Sequence, residues 1–215
     1  MAMIKVERFT VMGIGPAVRG MRNPLESWAD SDSFELPDGC VIGEKDMNLA
    51  MKLIRAGSDH CKFLRQIFVS IDIVAPMSWW WDFDTYKVAT VKNSTSRMHK
   101  LGTRLLTPDD FSWDDENGVI VVTPLRQYTL NDLNKRISLF QKLRSEGKHK
   151  EATYLWRDIV LDLPDSYNFM STWSGNYQNL RNVYHSRKNH KQREFRDFCR
   201  FLLSLPYRAF IEVER

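Results

Sequence analysis

The chain has 215 residues, 43% of them hydrophobic and 27% charged, with a formal net charge of +4. This ordinary globular balance excludes a disordered or fibrous polymer, and the length suits a single domain, residues 1–215, with a core of its own. No apolar run approaches the ~18 residues of a membrane span, and the opening MAMIKVERFT is not leader-like, so the expectation is a cytoplasmic protein with no membrane partner.

In chain order, MIKVERFTV (3–11) alternates as a strand. MGIGPAVRGMRNP (12–24), rich in Gly and Pro, reads as an irregular loop carrying Arg19 and Arg22, and it lacks the lysine and spacing of a Walker sequence. In EKDMNLAMKLIRAG, Met47, Ala50, Met51, Leu53 and Ile54 recur at helical spacing, with Gly57 as the stop. FVSIDIVA (68–75) reads as a half-buried strand. Pro76 then opens a helix, where its missing N–H costs nothing, and SWWWDFDTYK (78–87) continues it. After NSTS the chain is loop-like through TPDDFSWDDENG, with VIVVTP a short strand or buried extended segment. Two helices, the first capped by Thr129 and ending near Gly147, form a hairpin over about 129–162. SYNFMSTW is a strand; helices over about 176–188 and 191–204 lead to Pro206 and a last strand, AFIEV. With no internal repeat, the order indicates an α+β (mixed α/β) fold: a mixed sheet with flanking helices and the hairpin.

The chemistry concentrates in two places. Consecutive helical residues point about 100° apart, so Trp79, Trp80 and Trp81 cannot all enter one core. Trp80, Phe83, Asp84 and Lys87 share a stripe by their spacing, an aromatic pair above a carboxylate and an amine that suits a planar heterocycle with a phosphate. A core or subunit interface, with Asp84 and Lys87 paired at its rim, explains the same residues. The second place is a basic run: Arg181, Arg187, Lys188, Lys191, Arg193, Arg196 and Arg200 face only Glu194 and Asp197 in sequence, which suggests an anion or else a solvated face. Cys40, Cys61 and Cys199 form no CxxC pair, and His99, His185 and His190 lack the spacing of a metal helix, so reduced thiols and no metal are expected. Asp72 and Asp84 are weighed as an acid/base pair, but two acids alone assign nothing, and no residue is given a catalytic role.

Several segments resemble the flavin-dependent thymidylate synthases. YKVATVKNSTSRMH (86–99) occupies the place of that family's RHRxxSxNExSxRY, with Asn93 and Ser96 identical. DHCKF is similar to EHxxF, placing His60 at a histidine that contacts flavin, with Phe63 in step, and SIDIVAP resembles the strand before the motif helix. Leu163 and Pro164, then eleven residues, then NYQNLRNVYHSR match the family's LP and NxRSLxNFxxxR through Asn176, Leu180, Asn182 and Arg187. KQREFR is similar to AQxEIR through Gln192, Glu194 and Arg196. The departures are as specific: Tyr86, Lys87 and Val88 stand at RHR, Val91 at a serine, Ser94 at the glutamate, Met98, Gln178 and Val160 at arginines.

The resemblance implies that fold, a homotetramer with sites between subunits, and FAD and dUMP as ligands. It places His60, Trp80, Lys87, Asn93, Asn176, Asn182 and Arg187 on the cofactor, and Tyr86, Ser94, Ser96, Gln178, Arg187 and Arg196 on a pyrimidine deoxynucleotide. Lost phosphate-gripping arginines weigh against ordinary conversion of dUMP to dTMP, since each charge-assisted contact contributes ~1.5–3 kcal/mol. Lys87, Arg97, Arg157, Arg181 and Arg187 offer displaced charge, and the tryptophans a new stacking surface in a rebuilt pocket, as in a phage-type or accessory form. The alternatives are a non-catalytic oligomer binding nucleotide or single-stranded nucleic acid, and an interaction or scaffold protein whose tryptophans form an interface.

Overall fold

A computed structural model describes residues 4–37 and 39–214, with the backbone alone for residues 98 and 99. Strand β1 (Lys5–Met12) is followed by helix α1 (Ile14–Arg22), a hairpin of β2 (Phe34–Leu36) and β3 (Gly39–Val41), and α2 (Glu44–Arg55). Then come β4 (Phe68–Pro76), α3 (Met77–Phe83), β5 (Val91–Ser94) and the single turn α4 (Arg97–Lys100). The second half holds α5 (Pro124–Ser145), α6 (His149–Leu161), β6 (Asn168–Asn176), α7 (Tyr177–Arg187), α8 (Arg193–Leu202) and α9 (Ala209–Glu212). The larger sheet has the order β1-β4-β6-β5, and β2 and β3 pair antiparallel as a separate ribbon. This is the mixed α+β architecture expected.

Four expectations are corrected. The stretch read as loop at 12–24 contains α1. Gly13 supplies the turn, its φ of 84° in the left-handed region and its missing Cβ leaving room for the Gln66 carbonyl, which would otherwise lie 2.3 Å away. Pro16 then sits in the first helical turn, where no backbone bond is lost. Pro76 ends β4 and does not open α3. Helix α5 starts at Pro124 with Thr123 as its cap, accepting from the Arg126 N–H at 3.3 Å; Thr129 lies inside the helix and its hydroxyl donates back to the Leu125 carbonyl. The final strand is instead the helical turn α9, whose Phe210 and Ile211 carbonyls accept hydrogen bonds from the buried Arg181 guanidinium. The short strand β5, at VKNS, was not anticipated, and Val119 to Val122 are exposed.

Contacts divide the chain into two compact units, and β4, β5 and β6 each contribute residues to both. The first is built mainly from Val74–Phe83 and Asn93–Ser171. Its core gathers Met77, Phe111, Trp113, Leu133, Ile137 and Ile159 with their neighbours, so the α5–α6 hairpin is a structural part of it. Val160, at a position where the resemblance expects arginine, packs against this core.

The second unit comprises Val6–Ile73, Asp84–Lys92 and Thr172–Arg215. Alternate residues Val69, Ile71 and Ile73 of β4 are buried as a half-covered strand requires. Ser174 donates to Ser70 and Thr172 to Asp72, so the paired positions run in opposite directions along β4 and β6, as antiparallel strands demand. Helix α7 starts from a reciprocal cap: Asn176 accepts from the Asn179 N–H and Asn179 from the Asn176 N–H, both at 3.0 Å. Near the other end of the chain Tyr207 reaches the ribbon, its hydroxyl accepting from the Ile42 N–H at 3.0 Å and donating to the Cys40 carbonyl at 2.6 Å. Cys40, Cys61 and Cys199 carry free thiols. No helix among the described residues is long and apolar enough to cross a membrane.

Candidate functional site

Within the first unit, α3 settles which tryptophans face inward. Trp79 is 0% and Trp80 1% exposed, while Trp81 is 58% exposed. Trp79 stacks on Phe83 at 4.4 Å, and Trp80 packs face-on to Phe169 at 5.6 Å and edge-on to Trp79 at 4.9 Å. The Trp80 indole N–H donates to the Phe169 carbonyl. Trp80 therefore has no face open to a flavin ring; its surroundings correct the expected stacking role and the rebuilt aromatic pocket. The stripe is broken too, because α3 ends at Phe83 and a tighter turn carries Asp84 to Tyr86.

Within the second unit, α7 draws together segments far apart in sequence. Gln178 accepts from the buried Cys61 thiol, the residue after His60, and donates to Asn182 at 2.9 Å. The Asn179 carboxamide donates to the Val88 carbonyl at 2.9 Å. One helix end further on, Arg187 Nε donates to the Tyr86 hydroxyl at 3.0 Å, and the guanidinium lies over the rings of Phe195, at 4.9 Å, and Tyr86, at 5.7 Å. Residues near the expected histidine, the expected RHR positions and the second motif thus meet along α7. Asn176 is 6% exposed, and its carboxamide oxygen forms the cap of α7.

Part of the basic run is neutralised internally. Arg193 and Arg200 flank the buried carboxylate of Asp197 and Lys188 pairs with Glu214 at 2.8 Å, while the buried Arg181 donates to the Phe210 and Ile211 carbonyls and Lys191 is exposed. Arg187 and Arg196 differ. Among the described residues Arg187 touches only a phenol and aromatic rings, and Arg196 Nη1 donates to the carbonyls of His190 and Lys191, each at 2.7 Å. Neutral acceptors fix both guanidinium groups without cancelling their charge, an arrangement suited to an anion. Lys191 and Phe195 lie inside KQREFR and His190 just before it, yet none of the three was singled out in the sequence as a support for this pair.

His60 is exposed and lines a cleft of about 510 Å³, within the range of small-molecule sites. Leu49, Leu53 and Phe63 give it an apolar wall, and Asn23, Asp59, Lys62 and Gln66 join His60 in its polar lining. An apolar wall with a few hydrogen-bonding groups fits the ring of a flavin, whereas a single lysine, with a carboxylate in the same lining, is a sparse charge for its phosphates. Sequence reading singled out His60 here but not Asn23 or Lys62.

The remaining candidates fall in both units. Lys87 is exposed in the second unit. Asn93, Ser94 and Ser96 belong to the first; Ser94 accepts from Ser171 at 2.7 Å, and Ser96 precedes α4 without capping it. Asp72 accepts from Thr172 at 2.6 Å and Asp84 is ion-paired with Lys92, not with Lys87, so neither stands as an acid/base partner of the other. Val88 and Val91 are exposed at positions where the resemblance expects arginine and serine. Met98 and His99 lie outside the described side chains. No cluster of His, Cys, Asp or Glu able to hold a metal ion is present among the described residues.

No protein-family model matches the sequence, and no curated protein does. Solved structures do match in fold. One, a flavin-dependent thymidylate synthase ThyX from Helicobacter pylori complexed with FAD and dUMP, is 18% identical with a TM-score of 0.67, covering 99% of this chain and 98% of that one. A second Helicobacter pylori ThyX structure with FAD and dUMP is 17% identical with a TM-score of 0.65 over 98% and 99%. The chain has the fold of the flavin-dependent thymidylate synthases from end to end.

Proposed function

We propose that the chain, built on this fold, is a thymidylate synthase-like protein that binds a pyrimidine deoxynucleotide, dUMP, through the uncompensated guanidinium groups of Arg187 and Arg196. The observation that carries the reading is Arg187, oriented by Tyr86 and Phe195 with its charge unpaired. Tyr86, Gln178, Ser94 and Ser96 are the further nucleotide contacts proposed. Flavin is proposed at the His60 cleft, with Lys62 and Asn23 from the same cleft and Lys87, Asn93, Asn182 and Arg187 from the resemblance. When bound, flavin supplies hydride-transfer chemistry. His60, Asn23 and Lys62 orient its ring, and the apolar wall excludes water.

Conversion of dUMP to dTMP is not proposed, because valine fills three of the motif positions, Val88 and Val91 exposed and Val160 packed against a core. A homo-oligomer, a tetramer by resemblance, and a cytoplasmic location complete the reading. Among the described residues, carboxylates pair with Lys188, Arg193 and Arg200 of the basic run, and the few cations that remain, Arg187, Lys191 and Arg196 among them, suit one phosphate better than a nucleic-acid backbone, which favours mononucleotide over single-stranded nucleic acid.

Calorimetric titration with dUMP, with and without FAD followed by its visible absorbance, tests this. Expected are saturable dUMP binding with weak salt dependence and uptake of FAD. Absence of dUMP binding at millimolar concentration overturns the nucleotide reading, and a protein that takes up no FAD overturns the cofactor reading.

A further inference from the structure

A second cavity, of about 230 Å³, lies apart from the His60 cleft within the second unit. Trp28 and Phe34, 50% and 57% exposed, contribute aromatic walls, and Arg19 and Glu35 contribute opposite charges. Among the described residues Arg19 and Glu35 form no ion pair with each other or with any other group. Both side chains are exposed, so each charge is available to a ligand that reaches both.

The walls are held in place by a buried polar hub. The Asp46 carboxylate, 0% exposed, pairs with Arg22 at 2.5 Å and accepts from the hydroxyls of Ser31 and Ser33, both at 2.6 Å, and from the N–H groups of Asp32 and Ser33. Arg22 in turn donates to the carbonyls of Ser27 and Asp30. Although burial pushes the Asp46 carboxyl upward, the hydrogen bonds from Ser31, Ser33 and Arg22 outweigh it and hold it below the usual carboxylate range. A buried ion pair of this kind contributes little net stability compared with an apolar replacement, but it fixes geometry. Here it fixes residues 27–33, which carry Trp28 and lead into Phe34. Gly15 has a matching part: a Cβ there would lie 2.4 Å from the Glu35 carboxylate, so glycine is what lets Glu35 rest against the first turn of α1.

We infer that this cavity binds a small aromatic zwitterion: a ring between Trp28 and Phe34, a carboxylate on Arg19 and an ammonium on Glu35. The size excludes a dinucleotide, since drug-sized ligands occupy ~300 Å³ or more. The preformed walls reduce the ordering cost that would otherwise oppose so small a ligand.

L-phenylalanine is the probe, titrated calorimetrically into the full chain, with benzoate and phenethylamine as analogues that each carry one of the two charges. Saturable phenylalanine binding is expected, with either analogue at least ~10-fold weaker, the equivalent of about 1.4 kcal/mol. Arg19→Gln and Glu35→Gln, at exposed positions, are each expected to lose at least tenfold in affinity while the melting temperature and dUMP binding are unchanged. Trp28→Ala loses binding and Trp28→Phe retains it. Absence of phenylalanine binding, equal affinity for benzoate, or unaltered binding by both charge variants overturns the proposal. Because dUMP is measured separately, these outcomes are independent of the nucleotide reading.

Discussion

Helices α3 and α7 treat their most distinctive side chains in opposite ways. In α3, two of three adjacent indoles are sealed among Phe83, Phe169 and each other, their area used to fill a core. In α7 and the helix after it, two guanidinium groups are held at fixed angles by groups that carry no charge, so their charge stays available. Aromatic area is recruited by any neighbouring apolar surface, whereas a cation is cancelled only by a nearby carboxylate. A rich aromatic stretch is thus an ambiguous sign of a ligand, and an unpaired, well-supported arginine a sharper one.

Substitutions on either side of this contrast test it. Trp80→Ala, which empties the largest volume, is expected to cost ~3–5 kcal/mol in urea denaturation while the folded fraction binds dUMP unchanged; loss of binding at full stability would reverse the assignment of α3. Arg187→Gln is expected to weaken dUMP by roughly tenfold to a hundredfold, the equivalent of ~1.5–3 kcal/mol, with a much smaller change in stability. Equal affinity would remove α7 from the site.

A smaller effect concerns His185 on the same helix. Burial, then the charges of Arg181 and Lys188, hold this imidazole below its ordinary value, against the opposing pull of the Ile211 backbone and Glu214. The folded state therefore binds the proton more weakly than the unfolded chain. Stability should be full above about pH 6.5 and decline as pH falls below it, a slope that His185→Gln flattens in denaturation measured across pH 5–8. The smallest change is expected from Trp81→Ser, within about 0.5 kcal/mol, because its ring is already in water.

Local pattern made much of the fold legible. Met47, Ala50 and Ile54 announced α2, and the alternation of Val69, Ile71 and Ile73 announced β4. Helix α1 was hidden because glycine and proline usually punctuate, while here Gly13 makes the turn before the helix and Pro16 occupies its first turn. Helix α9 was hidden because its carbonyls are satisfied by Arg181, some thirty residues earlier in the chain. The site divides the same way. Helical geometry required at least one of the tryptophans to face something other than the core, but the burial of Trp80 depends on Phe169, 89 residues away. Arg187 could be singled out from its motif; its support by Tyr86 joins positions 101 residues apart and has no local signal.

The Tyr207 phenol has a consequence for the order of synthesis. One oxygen completes the backbone bonding of both Cys40 and Ile42, yet it is encoded some 165 residues after the ribbon it clasps. A two-stranded ribbon is marginal by itself in water. On the ribosome, this ribbon must wait for a clasp that emerges long after its own strands have left the exit tunnel.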